Sequence, residues 1–180
     1  MLVRLALRDF RNVERTNWTP GSGTQLLLGG NGVGKTTLLE AVYLLTTTRS
    51  FRTAQLADCC RNGQSAFHLS GEFGAPPRRL ELGWSASGQR HRAVDGVEVP
   101  LAEHIAVQPV LAWTRAEGEL LSGSPGVRRR FFDRALVSWR PGALAGLGRY
   151  QRALASKRAL LARGERRGLE AWNELLAREG

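Results

Sequence analysis

The sequence predicts an α/β protein: a mixed sheet with an antiparallel part around one central helix, followed by a basic helical arm. Three observations predict this. Residues 25–45, QLLLGGNGVGKTTLLEAVYLL, read as an apolar run, a glycine-rich loop and an uninterrupted helical pattern. Residues 66–99 alternate between apolar and polar positions and are cut by turn signals, which argues for successive antiparallel strands. From Gly126 arginines interleave with apolar residues at helical spacing, with no sustained heptad. The division falls at 1–123 for the first part and 124–180 for the arm.

Residues 2–10 alternate with period two and predict a half-buried strand. Arg11-Asn12 makes a turn, and Val13–Trp18 is a second strand, closed by Thr19-Pro20-Gly21-Ser22-Gly23. Leu26-Leu27-Leu28 predicts a third, buried strand that feeds the glycine loop. In the helix that follows, Leu38, Leu39, Val42 and Leu45 are spaced to line one face. The β-branched Thr46-Thr47-Thr48 weaken helix, so a loop is expected over 46–53. Asp95-Gly96 between Val94 and Val97 predicts a two-residue hairpin turn. Pro100–Ala106 reads as a short helix and Val107–Trp113 as a buried strand limited by Pro109. Ser124-Pro125 opens a helix, Pro141-Gly142 breaks it, residues 143–163 form another, and Leu169–Arg178 a third after Gly164 and Gly168.

The loop carries the chemistry. Gly29-Gly30-Asn31-Gly32-Val33-Gly34-Lys35-Thr36 fits G-x-x-x-x-G-K-[ST] without mismatch, in a strand–loop–helix context. Glycines let backbone N–H groups close on phosphate oxygens, and the helix that starts near Lys35 points its positive end at the same anion. The predicted ATP site is therefore Gly29, Gly30, Asn31, Gly32, Val33, Gly34, Lys35, Thr36 and Thr37, with Lys35 on the β/γ-phosphates and the Thr36 hydroxyl on Mg²⁺. Arg49 and Arg52, just past the helix, are candidates for phosphate contact or plain solvated turn residues. Glu40 is expected to point away from the loop, toward packing or solvent, and Gln108 is read as a plain surface amide ahead of the alternative, a polar contact to the nucleotide's metal. Hydrolysis also requires a carboxylate for the Mg²⁺ water shell and a group that orients water, and no apolar strand ending in such an acid is found.

The net charge of +10 is uneven: 13 Lys/Arg against 11 Asp/Glu through residue 124, and 13 against 5 beyond it. A polyanion is the partner this suggests, nucleic acid above all, with Arg128, Arg129 and Arg130 as candidate contacts. Charge alone favours helices kept soluble by arginine over a nucleic-acid contact. No apolar run approaches the roughly 20 residues that span a membrane, and the N-terminus lacks a signal-peptide pattern, so a cytoplasmic protein is expected. Cys59 and Cys60 are adjacent and suit buried thiols rather than a disulfide or zinc framework; His68 and His91 have no ligand-spaced partner.

Several segments together resemble one family. They are Leu7-Arg8-Asp9-Phe10-Arg11-Asn12, the glycine loop and its helix, Thr48-Arg49-Ser50-Phe51-Arg52, Gly123–Asp133 (GSPGVRRRFFD), Tyr150–Leu154 (YQRAL) and Lys157-Arg158. The chain is similar to the N-terminal half of the RecF family, bacterial recombination mediators and DNA-repair ATPases. The resemblance implies a P-loop ATPase head of the ABC/SMC type with an inserted helical domain. It further implies ATP with Mg²⁺, an ATP-dependent homodimer, DNA binding, and joint action with RecO and RecR in loading RecA at gaps, in replication restart and the SOS response. It places Arg49 and Arg52 where head arginines approach nucleotide or DNA. Relative to the family pattern the chain lacks the signature motif and the Walker B acids, so this chain alone is expected to turn ATP over negligibly. Thr114-Arg115-Ala116 also departs from the family's Ser-Pro-Glu-like residues.

Overall fold

The computed structural model describes residues 1–165 and 168–179. The chain divides into two compact units, Met1–Thr114 and Arg115–Gly180. The helical unit thus opens ahead of Ser124, with the 3-10 turn Arg115–Leu120.

In the first unit, β1 (Leu2–Phe10) and β2 (Val13–Trp18) pair as a hairpin. Then come α1 (Lys35–Thr47), a 3-10 turn at Leu56–Cys59, and the strands β3 (Ala66–Phe73), β4 (Arg78–Ser85), β5 (Arg90–Val94) and β6 (Val97–Glu98). A short helix, α2 (Leu101–Ala106), follows. The six strands form one sheet in the order β2-β1-β3-β4-β5-β6, antiparallel at every described pairing. Asp95 and Gly96 hold φ of 53° and 81°, left-handed at both positions, as the shortest hairpin turn demands. Register aligns Leu5, Gly71, Leu80 and Val94 in one row, and Leu7, Leu69 and Leu82 in the next. Both rows share the core with Ala41, Leu44 and Leu45 of α1. Each fully buried leucine contributes about 2 kcal/mol, so this face sets where α1, and hence the loop before it, can sit.

Four expectations for this unit are corrected. Residues 24–30 form no strand, and Leu26 and Leu28 are each 79% exposed. An apolar run becomes a strand only when a neighbour takes its N–H and C=O groups, and none is described beside it. Val107–Trp113 is likewise irregular, with Leu111 and Trp113 exposed. The helix does not stop at the threonines. It runs through Thr47, because burial of Leu44, Leu45 and Thr46 overrides weak helix propensity; the hydroxyls of Thr46 and Thr47 donate back to the carbonyls of Val42 and Tyr43, and Thr48 ends the helix at φ 60°. Finally, the buried stripe of α1 is Thr37, Glu40, Ala41, Leu44 and Leu45, whereas Leu39 is exposed.

In the second unit, α3 (Pro125–Trp139), α4 (Ala143–Ala162) and α5 (Leu169–Glu179) start and stop at the predicted signals. Ser124 precedes α3 with Pro125 at its first position. An Arg149–Glu179 ion pair at 2.8 Å links α4 to α5. Ala153 is the one buried residue among those described in these three helices. No described helix is long and apolar enough to cross a membrane.

Candidate nucleotide site

The loop reaches α1 through Gly34, whose φ of 101° only glycine adopts without strain. The helix therefore begins at Lys35 and leaves its first N–H groups facing a cleft of about 770 Å³. That volume is in the range of small-molecule sites. The cleft is lined by Asn31, Gly32, Gly34, Lys35, Thr36 and Thr37 from the loop and the start of α1, and by Arg11, Asn12, Arg52, Asp58, Cys60 and Asn62 from other segments. Gly29, Gly30 and Val33 are not in this lining. The Lys35 ammonium donates to the carbonyls of Gly29 and Gly30 at 2.7 and 2.6 Å, closing the loop into a ring.

Asn12, in the β1–β2 turn, clamps the loop from outside. Its Nδ2 donates to the Gly32 carbonyl at 2.8 Å, and its Oδ1 accepts the Thr37 hydroxyl at 2.8 Å. The Thr37 hydroxyl is thus spent on the protein. Thr36 is exposed on the cleft, and no bond from its hydroxyl to protein is described. That free oxygen at a helix N-terminus fits a Mg²⁺ ligand that shares the ion with phosphate oxygens. No group of three metal-ligating His, Cys, Asp or Glu exists among the described residues.

Glu40 is not in the cleft lining and lies in packing. It is fully buried and receives Arg11 as a fork, Nη2 to Oε1 at 2.6 Å and Nε to Oε2 at 3.0 Å. Arg52 Nη1 adds a bond to Oε2 at 3.1 Å, and the Ser50 hydroxyl one to Oε1 at 2.5 Å. Burial alone would raise the carboxyl pKa; the bonds from Arg11 and Ser50 and the charges of Arg11 and Arg52 outweigh it and hold it below the usual range. Cys59 sits against the same carboxylate, and burial pushes its thiol up to about 11.

The structure brings Arg52, but not Arg49, to the cleft. Gln108 lies outside its lining, bonded to the Met1 amine and the Pro109 carbonyl. In the helical unit the three candidate arginines differ. Arg128 Nη1 donates to the carbonyls of Gly123 and Leu120, tying down the turn before α3, whereas Arg129 and Arg130 are exposed. His68 and His91 flank Gly83 on the sheet, and neither stands near the cleft lining. Sequence reasoning missed Arg11, Asn12, Asp58, Cys60 and Asn62 in the lining, and Glu40 behind it as the partner of Arg11 and Arg52. Only Glu40 carried a signal: an acid inside an apolar helical stripe requires a partner.

A glycine loop closed by lysine, set at the N-terminus of a helix beside an antiparallel sheet, has the arrangement of a phosphate-binding loop, in a fold shared with RecF and SMC heads. Comparison with solved structures agrees. A structure described as the recombination mediator protein RecF-ATP in the RecFOR pathway superposes with a TM-score of 0.83 at 24% identity, over 99% of this chain and 50% of that one. A structure from a study of ATP-driven dimerization and DNA-stimulated activation of SMC ATPases gives 0.62 at 15% identity, over 74% of this chain and 98% of the other. No protein-family model matches the chain.

By sequence the chain is similar to the N-terminal portion of RecF proteins. It is 34% identical to the DNA replication and repair protein RecF of Myxococcus xanthus, over 99% of this chain and 48% of that protein. It is 36% identical to RecF of Stenotrophomonas maltophilia, over 98% and 51%. The chain spans about half the length of the curated relatives it matches.

Proposed function

We propose that the chain is an ATP-binding head portion of a RecF-type DNA-repair protein, working in the cytoplasm. Lys35 and the N–H groups of residues 31–37 hold the polyphosphate, Thr36 supplies one oxygen to Mg²⁺, and Arg52 adds a second cation from the cleft lining. The observation that carries this is the cleft itself, where Asn12 fixes the loop from one side and the N-terminus of α1 faces it from the other. Binding DNA through exposed arginines such as Arg129 and Arg130, ATP-dependent pairing of heads, and action with RecO and RecR to load RecA at gaps follow from the likeness to RecF.

Turnover by this chain alone is negligible in this reading. Asp58 is the one acid among the residues that line the cleft, and its Oδ2 already accepts the Thr53 hydroxyl. Among the described residues that line the cleft, no second carboxylate stands ready to order the Mg²⁺ water shell or the attacking water. The test is equilibrium binding of a fluorescent, non-hydrolysable ATP analogue with Mg²⁺ to the protein and to Lys35→Ala. At least a tenfold loss is expected, since a charge-assisted contact to phosphate contributes about 1.5–3 kcal/mol. Equal binding by the two proteins sinks the proposal. A steady-state ATPase rate well above background would sink the claim about turnover.

A further inference from the structure

We propose that Glu40 is a positioning residue for this site: it holds Arg52 by one guanidinium nitrogen, so that the other donors of that fork face the polyphosphate. The inference rests on the nucleotide-binding reading above and adds to it how the second cation is presented.

Two guanidinium groups share the Glu40 carboxylate, and donor counting separates them. Arg11 spends every nitrogen on protein acceptors. Its Nε and Nη2 go to the two Glu40 oxygens at 3.0 and 2.6 Å, and its Nη1 to the Asp58 carbonyl. Its side chain is 16% exposed. Arg52 spends one nitrogen, Nη1, at 3.1 Å; its side chain is 44% exposed, and no bond from its Nε or Nη2 is described. Both residues line the cleft. Arg11 is thus the fixed counter-charge that keeps the buried carboxylate ionised. Arg52 is the guanidinium with donors left for a ligand.

Glu40 also fixes the backbone that carries Arg52. The Ser50 hydroxyl donates to Glu40 Oε1 and accepts the N–H groups of Arg52 and Thr53 at 2.9 and 3.2 Å. One carboxylate therefore anchors Arg52 at two points, side chain and main chain, from the first turns of the helix that starts at the phosphate loop. Arg11, Arg52 and Lys35 against Glu40 and Asp58 leave one net positive charge around the cleft. A polyphosphate suits that surplus, and a neutral ligand does not. A well-packed apolar residue would serve stability alone as well as this ion pair does, so a buried acid at this place is better explained by what it orients.

The test uses the full chain and three variants: Glu40→Gln, Arg52→Gln and the double variant. Affinity is read for the Mg²⁺ complex of a non-hydrolysable ATP analogue and, by competition, for AMP. Each single variant is expected to weaken the analogue about tenfold and AMP less than about twofold, with the double variant no weaker than Arg52→Gln alone. Equal losses for analogue and AMP, or losses that add in the double variant, overturn the proposal and leave Glu40 a purely structural residue. Should Glu40→Gln fail to fold, Ser50→Ala keeps the Arg11–Glu40 pair while releasing the Arg52 backbone. It is expected to cost about threefold for the analogue and nothing further in the Arg52→Gln background; unchanged affinity overturns the proposal. If the unaltered protein does not bind the analogue, the nucleotide reading falls and this inference with it. If it binds, Lys35→Ala does not, and Glu40→Gln matches the unaltered protein, this inference alone falls.

Discussion

The imidazole of His104 is fully buried, and its Nε2 lies 2.6 Å from the Leu45 carbonyl near the end of α1. Neutral imidazole satisfies that contact by donating from Nε2, which leaves Nδ1 without a partner. Burial, aided by the charge of Arg92, lowers its pKa against the opposing pull of the Leu45 bond. Burial likewise lowers that of His68. A histidine held neutral in the native state binds its proton first in the unfolded chain. Its stabilising contribution is complete above the unfolded pKa, near 6.5, and is lost as pH falls through the folded one. The unfolding free energy should therefore drop between pH 7 and 5.5, by up to about 1 kcal/mol per histidine. His104→Gln, which retains a donor for Leu45, should flatten part of that slope in urea titrations and leave the share of His68. An identical slope in the variant would show that His104 titrates normally.

At the scale of elements, the seat of α1 depends on one missing side chain. A Cβ on Gly71 would lie 2.9 Å from Leu45 Cδ2 and 3.0 Å from the Arg4 carbonyl oxygen. Gly71→Ala should cost about 1–3 kcal/mol by chemical denaturation, because the neighbouring strand cannot yield even where Leu45 can. Nucleotide affinity should fall with it only if α1 shifts, since the loop rides on that helix. Gly71 also illustrates what the sequence made legible. Period-two patterning located β1, β3 and β4, turn signals bounded β2 and β5, the Asp-Gly pair located the β5–β6 turn, and the glycine-lysine motif located the loop, since each is a local rule. The Leu26–Leu28 and Val107–Trp113 strands failed because strand formation depends on a neighbour, which local pattern does not report. The partners of Glu40 were illegible for a related reason: they lie 29 and 12 residues away. The part of the cleft lining with Asp58, Cys60 and Asn62 belongs to no motif and became visible only once the chain was folded.

At the scale of the whole molecule, the two units hold themselves together by different means. The first buries a continuous cluster from Leu5 and Phe10 through Leu69, Phe73 and Leu80 to Val94. In the helices of the second, Ala153 is buried while Phe132 and Trp139 are 65% and 70% exposed. Ion pairs such as Arg149–Glu179 link helices there, but an exposed pair contributes only about 0–1 kcal/mol. Helical hydrogen bonds without a buried face open locally at low free energy, whereas strands flanking a shared core open only with the whole sheet. Native-state hydrogen exchange should therefore divide the chain in two. Amides of α3, α4 and α5 should exchange through openings that cost several kcal/mol less than those of β1, β3 and the centre of α1. Raising salt to about 1 M should widen the gap, by screening the arm's exposed pairs while the apolar cluster stays intact. A single common opening free energy across both units would mean that the arm draws on a core beyond its own helices, and that the two fold as one.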